Sequence, residues 1–171
     1  CIREQRSMFT SLYLNYIKHG GNLIASKLVN EPCFDGFLIF DKLKYSNYLT
    51  KLYNLFDSNN ILIYTYEEFL NYPDIIYCKI CNFLGIKSIH IQNKRVNHSR
   101  GLITLQIERI LNKLGYHNRY TKKAFDICSQ FDLRVTNISS VIPQQTLSEW
   151  SKCNDLITEI TALELKKFNY L

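Results

Sequence analysis

The stretch Asn60-Ile61-Leu62-Ile63-Tyr64-Thr65-Tyr66-Glu67-Glu68-Phe69 carries the decision about the fold. Ile61 to Tyr66 is short, apolar and rich in β-formers, and the turn cluster Asp57-Ser58-Asn59-Asn60 bounds it upstream. Such a run is what a buried strand of a parallel sheet requires, since both of its faces are covered. Helical patterns flank it. Upstream, Leu43, Tyr45, Tyr48, Leu49, Leu52, Tyr53 and Phe56 supply one apolar stripe, which predicts a helix from about Asp41 to Phe56. Downstream, Pro73 suits a first helical turn with Asn71 nearby as a cap, and Ile76, Ile80, Phe83 and Leu84 lead to a stop at Gly85.

Further out, Met8, Phe9, Leu12, Tyr13, Tyr16 and Ile17 recur at three- and four-residue steps, predicting a helix from Gln5 to about His19 that Gly20-Gly21 ends. Leu23 to Asp35 contains Pro32 and no clean period, and reads as a short helix or a loop. Helices are expected over Leu102–Leu114, stopped by Gly115, over Tyr120–Gln130, and over Leu147–Phe168 with Trp150 near the start. Pro143 marks a loop. The expected class is α/β and helix-rich, with a central parallel sheet left incomplete. Cys1-Ile2-Arg3 would be the end of one strand, and the remaining strands are expected before Cys1.

A chain of 171 residues fits one domain, and 46% hydrophobic with 13% aromatic content argues against disorder. The formal charge of +6 suits an anionic ligand. The lysines and arginines are scattered rather than striped with aromatics, which weighs against a nucleic-acid partner. Arg3, Glu4, Gln5 and Arg6 break any secretion signal, and the longest apolar runs are too short to cross a bilayer, so a cytoplasmic location with no membrane segment in this chain is expected, and a lost N-terminal anchor or a secretory-pathway location stays open beside it. Of the six cysteines only Cys78-Lys79-Ile80-Cys81 has ligand-like spacing, with no second pair. Small buried hydrophobes in a reducing compartment are the expected role for these thiols, and no metal is expected.

The opening Cys1-Ile2-Arg3-Glu4-Gln5-Arg6-Ser7-Met8-Phe9-Thr10-Ser11-Leu12-Tyr13 resembles the 3′-phosphate-binding segment of sulfotransferases that use 3′-phosphoadenosine 5′-phosphosulfate (PAPS). In that family a buried strand ends in an arginine, a serine follows eight residues later, and an aromatic stands two further on; Arg3, Ser11 and Tyr13 hold those places. Glu4-Gln5 replaces the more familiar pair of an acid or Asn followed by Pro. The later succession of helix, strand, Tyr66-Glu67-Glu68-Phe69, Pro73 and Phe83-Leu84-Gly85 is similar to the family in both order and spacing. Most of the chain up to about Leu114 follows that order. The resemblance implies a partial P-loop-like sulfotransferase fold, with residues 1–171 as the C-terminal portion of a single domain.

The residue types suit the implied ligand. A guanidinium offers a planar fork of donors to two phosphate oxygens, a serine hydroxyl adds one neutral hydrogen bond, and helix-start amides favour the same anion. By resemblance, Arg3 and Ser11 bind the 3′-phosphate of PAPS and Tyr66 lies near the adenine. Glu67 and Glu68 read as capping carboxylates at a helix start, not as bases. Arg100-Gly101 distantly resembles a further phosphate-binding element of the family.

Absent from the sequence is a Gly/Ser/Thr-rich loop with a central Lys or Arg, which in the family holds the 5′-phosphosulfate. The family's acceptor-side base also precedes its arginine segment. The chain is therefore expected to supply half of a donor site and no catalytic residue. The implied reaction is sulfuryl transfer from PAPS to a hydroxyl- or amine-bearing acceptor, a glycan or small molecule, with no turnover by these residues alone. A non-catalytic helical interaction module and a truncated small-molecule kinase are the competing readings. Asn97-His98-Ser99 and Asn137-Ile138-Ser139 are glycosylation triplets, meaningful only in a secretory pathway.

Overall fold

A computed structural model describes residues 1–28, 43–87, 101–116, 119–128, 142–161 and 165. Its helices are α1 (Gln5–Lys18), α2 (Ala25–Leu28), α3 (Tyr45–Leu55), α4 (Tyr66–Asn71), α5 (Pro73–Leu84), α6 (Leu102–Lys113), α7 (Arg119–Cys128) and α8 (Gln144–Thr161). A 3₁₀ turn spans Ser58–Asn60. The chain gathers into two compact units. The first comprises Cys1–Gln5, Asp41–Lys94 and Gln144–Leu171; the second comprises Arg6–Phe40 and Arg95–Pro143.

The first unit is built on α3 packed against α8, with α4 against α5. Ile2, Leu49, Cys153, Ile157 and Leu165 form its core, and Tyr45, Tyr53 and Ile63 pack on it. The backbone N–H of Ser46 donates to the Cys153 thiol sulfur at 3.2 Å, so this cysteine both fills space and accepts a hydrogen bond. Lys44 pairs with Glu149 at 2.8 Å beside the start of α3. Of the stripe expected on α3, Leu49 is buried and Tyr45 and Tyr53 are half-buried, while Tyr48, Leu52 and the following Phe56 face solvent.

In the second unit α1 buries Phe9, Tyr13, Tyr16 and Ile17 of the face its periodicity predicts, while Met8 and Leu12 of that face are half-buried. Its end is a glycine cap. Gly20 N–H donates to Ile17 O at 3.0 Å and Gly21 N–H to Tyr16 O at 2.9 Å, with Gly20 at φ 96°. Gly21 has a second reason to lack a side chain, because a Cβ there would overlap the Tyr16 ring. That ring cannot step aside cheaply, since its hydroxyl accepts from the backbone N–H groups of Asn22 and Leu23 at 3.2 and 3.3 Å. The Asn112 amide of α6 closes the same corner, donating to Ile17 O at 2.8 Å and Gly21 O at 2.7 Å.

Helix boundaries set by local chemistry match the expectations. Pro73 opens α5, and Gly85 and Gly115 end α5 and α6 with the same paired bonds as Gly20-Gly21. Asn71 is not the cap of α5; it is the last residue of α4, and Tyr72 holds the cap position without a side-chain bond. Cys81 is buried as expected but Cys78 is exposed, so the two thiols do not share one environment.

The expected α/β class is overturned. Among the described residues there is no strand and no sheet, and the parallel sheet shrinks to one isolated parallel bridge between Ile2 and Thr65. Ile2 N–H donates to Tyr64 O at 3.0 Å and Tyr66 N–H donates to Ile2 O at 2.7 Å. The cause is local. Thr65 caps α4, its hydroxyl accepting from Glu68 N–H at 3.0 Å while the Glu68 carboxylate accepts from Thr65 N–H at 2.9 Å. This capping box starts a helix at Tyr66, where the sheet reading needed more extended backbone. On the other side α1 begins at Gln5, leaving only Ile2 to Glu4 to pair. Ile61 to Tyr64 are correspondingly half-buried instead of enclosed on both faces.

Candidate functional site

The bridge sets two of the sequence-predicted residues side by side. Arg3 follows Ile2 and Tyr66 follows Thr65, and the Arg3 guanidinium lies over the Tyr66 ring at 4.6 Å from its centroid. A cation over an aromatic face is attracted by the ring quadrupole. Stacking engages the flat face of the guanidinium; its N–H donors lie in the plane, which is the geometry carboxylates and phosphates use.

Three more residues frame this pair. Glu4 N–H donates to the Glu67 carboxylate at 3.3 Å, tying the first extended residues to the start of α4. Tyr45, at the start of α3, has its phenol pushed up to about 12, chiefly by burial. A hydrogen bond with the Arg3 backbone and the Arg3 charge pull the other way, and the Glu67 and Glu4 carboxylates add to the rise. The local field is therefore mixed, one guanidinium among two carboxylates, and not a purely cationic cradle. Gln5 then anchors the segment through a buried amide pair with Asn154 of α8.

Ser11 and Tyr13 belong to the second unit, on α1. Ser11 is half-buried. Tyr13 is buried, donates its hydroxyl to Leu23 O at 3.2 Å, and has its phenol pushed up by burial, with Arg109 acting in the opposite sense. Its place is structural. Arg100 and both glycosylation triplets lie outside the described residues. Among the described residues no group of His, Cys, Asp or Glu could hold a metal ion. No helix among them is long and apolar enough to cross a membrane.

Tyr45 escaped the sequence reading, which placed it in a buried stripe. The stripe is real, yet the hydroxyl beside Arg3 comes from pairing residues far apart in the chain. No local signal separates Tyr45 from Tyr48 or Tyr53. Glu68 was legible as a capping carboxylate, and the Thr65-Tyr66-Glu67-Glu68 spacing is the capping-box signature that would also have shortened the expected strand. Compared with family models, with curated proteins and with solved structures, the chain matches none.

Proposed function

We propose that this chain contributes the 3′-phosphate side of a sulfotransferase donor site, with Arg3 as the anion-binding group and Tyr66 as the neighbouring aromatic. One observation carries it: the two residues that the sequence resemblance assigns to the same nucleotide, sixty-odd positions apart, meet ring to guanidinium at 4.6 Å. A cation and an aromatic face in contact suit a ligand that joins an anionic phosphate to a flat base. Ser11 enters the proposal through its place in the sequence motif.

PAPS would supply the activated sulfuryl group. The residues named here would bind and orient, and none of them moves a proton in the transfer. Calorimetric titration with 3′-phosphoadenosine 5′-phosphate tests the proposal. A charge-assisted contact to phosphate contributes roughly 1.5–3 kcal/mol, so Arg3→Ala should weaken binding by about tenfold or more. Adenosine 5′-phosphate, without the 3′-phosphate, should bind weakly and respond little to the substitution. If the wild type shows no preference for the 3′-phosphorylated nucleotide, the proposal fails.

A further inference from the structure

Helix α6 is turned the opposite way from an ordinary surface helix. The face it buries in the second unit carries Thr104, Leu105 and Glu108, with Glu108 only 1% exposed. The face it presents to solvent carries Ile103, Ile107, Ile110 and Leu114, at 60%, 47%, 50% and 62% exposure. Leu114 is the capping residue directly after the helix. The spacing of these four is four, three and four residues, which is the a/d seam of a heptad and narrower than the broad stripe of a core-facing helix. A β-branched seam of this kind packs knobs into the holes of another helix.

The flank of the seam says what that helix carries. Gln106, Arg109 and Lys113 follow at steps of three and four along one side, and Arg109 is held there by its N–H donors to the Gln106 side-chain oxygen at 3.3 and 3.1 Å. Glu108, the one acid of α6, is on the buried face. The solvent-facing surface of α6 is therefore apolar in the middle, basic on its edge and free of carboxylates. Two copies of α6 laid together would offer no acid on either side to meet Arg109 or Lys113. A helix with the same apolar period and acidic flanks would meet both.

We propose that the Ile103–Ile107–Ile110–Leu114 seam is a docking surface for an amphipathic helix with acidic flanking positions. This proposal does not rest on the nucleotide reading, since it uses none of Arg3, Ser11 or Tyr66. The probe is a synthetic three-heptad helix with Ile and Leu at its a and d positions and Glu at e and g. A twin with Lys at e and g serves as the comparison. Binding of each to the full chain is read by fluorescence anisotropy at low salt and at roughly 0.5 M salt, where screening is short-ranged.

The acidic probe should bind at least about tenfold more tightly than the basic one, and the gap should narrow at high salt. Ile107→Asp should abolish binding of the acidic probe. Because Ile107 is exposed, the far-UV spectrum should be unchanged, which separates lost docking from lost folding. The double variant Arg109→Glu/Lys113→Glu should reverse the preference. Equal binding of the two probes, or binding of neither, overturns the proposal. So does self-association on sedimentation that Ile107→Asp removes, which would assign the seam to a second copy. Co-sedimentation with anionic vesicles, lost in Ile107→Asp while neither peptide binds, would assign it to a lipid surface instead.

Discussion

The amide pair between Gln5 and Asn154 offers a test of how the Arg3 segment is held. Gln5 Nε2 donates to Asn154 Oδ1 at 2.7 Å, and Asn154 Nδ2 donates to Gln5 Oε1 at 3.1 Å. The residues are 0% and 2% exposed, so water cannot readily replace either bond. Two neutral hydrogen bonds contribute a net of about 1 kcal/mol each. Asn154→Ala removes more than that, because both bonds of the buried Gln5 amide are lost at once. Each stranded polar group costs about 1–3 kcal/mol, partly offset by relaxation, so the expected loss is about 2–4 kcal/mol. Gln5→Ala should cost a similar amount. Replacing both by leucine removes the polar groups together, and the double variant should lie about 1–3 kcal/mol below the sum of the two corresponding single leucine substitutions.

Urea unfolding measures this directly. Trp150, the only tryptophan, is fully buried on α8 one turn before Asn154, so its emission reports on the element that anchors Gln5. Far-UV circular dichroism supplies the second probe, and coincident transitions license a two-state treatment. Single-variant losses under about 0.5 kcal/mol, or strict additivity in the double variant, would show that the two amides are not paired in solution.

Tyr45 predicts an alkaline signature. Its phenol is raised from 10.0 to about 12 in the folded chain, so between those values the unfolded chain ionises while the folded one stays neutral. The stability this group contributes is full below pH 10 and is lost as pH rises through about 12; Tyr45→Phe should flatten that decline in urea midpoints measured across the window. Gly21→Ala should destabilise by roughly 1–3 kcal/mol through the overlap of its Cβ with the Tyr16 ring, and because truncating the ring removes that overlap, the double variant Gly21→Ala/Tyr16→Ala should cost less than the sum of the two single substitutions; thermal melts that show no loss in Gly21→Ala would contradict the close approach.

The candidate site was half legible. Arg3 and Tyr66 each stood out in its own motif, because charge type and position relative to a helix start are properties of a short window. Their meeting depends on the Ile2–Thr65 bridge, which joins segments more than sixty residues apart. The Tyr45 hydroxyl and the Asn154 amide reach the same segment from α3 and α8, and nothing within a few residues of either announces it.

What the sequence by itself determined is where most of the helices begin and end, although α8 starts at Gln144 and not at the expected Leu147. Gly20-Gly21, Gly85 and Gly115 stop helices because the bonds that satisfy the last carbonyls run from residues only three to five positions on. Pro73 starts one because its fixed φ already matches the first turn. Periodicity found the buried face of α1 for a similar reason, since residues three and four apart share a side. Tertiary structure decided which face of an amphipathic helix goes inward and whether extended segments become a sheet. The apolar period of α6 is plain in the sequence, yet the fold buries Glu108 and leaves Ile103, Ile107 and Ile110 in solvent. The run from Ile61 to Tyr66 has the composition of a strand, but a capping box at its end and one paired residue opposite leave a single bridge. Burial and sheet pairing are paid for by partners distant in the chain, and a local window does not contain them.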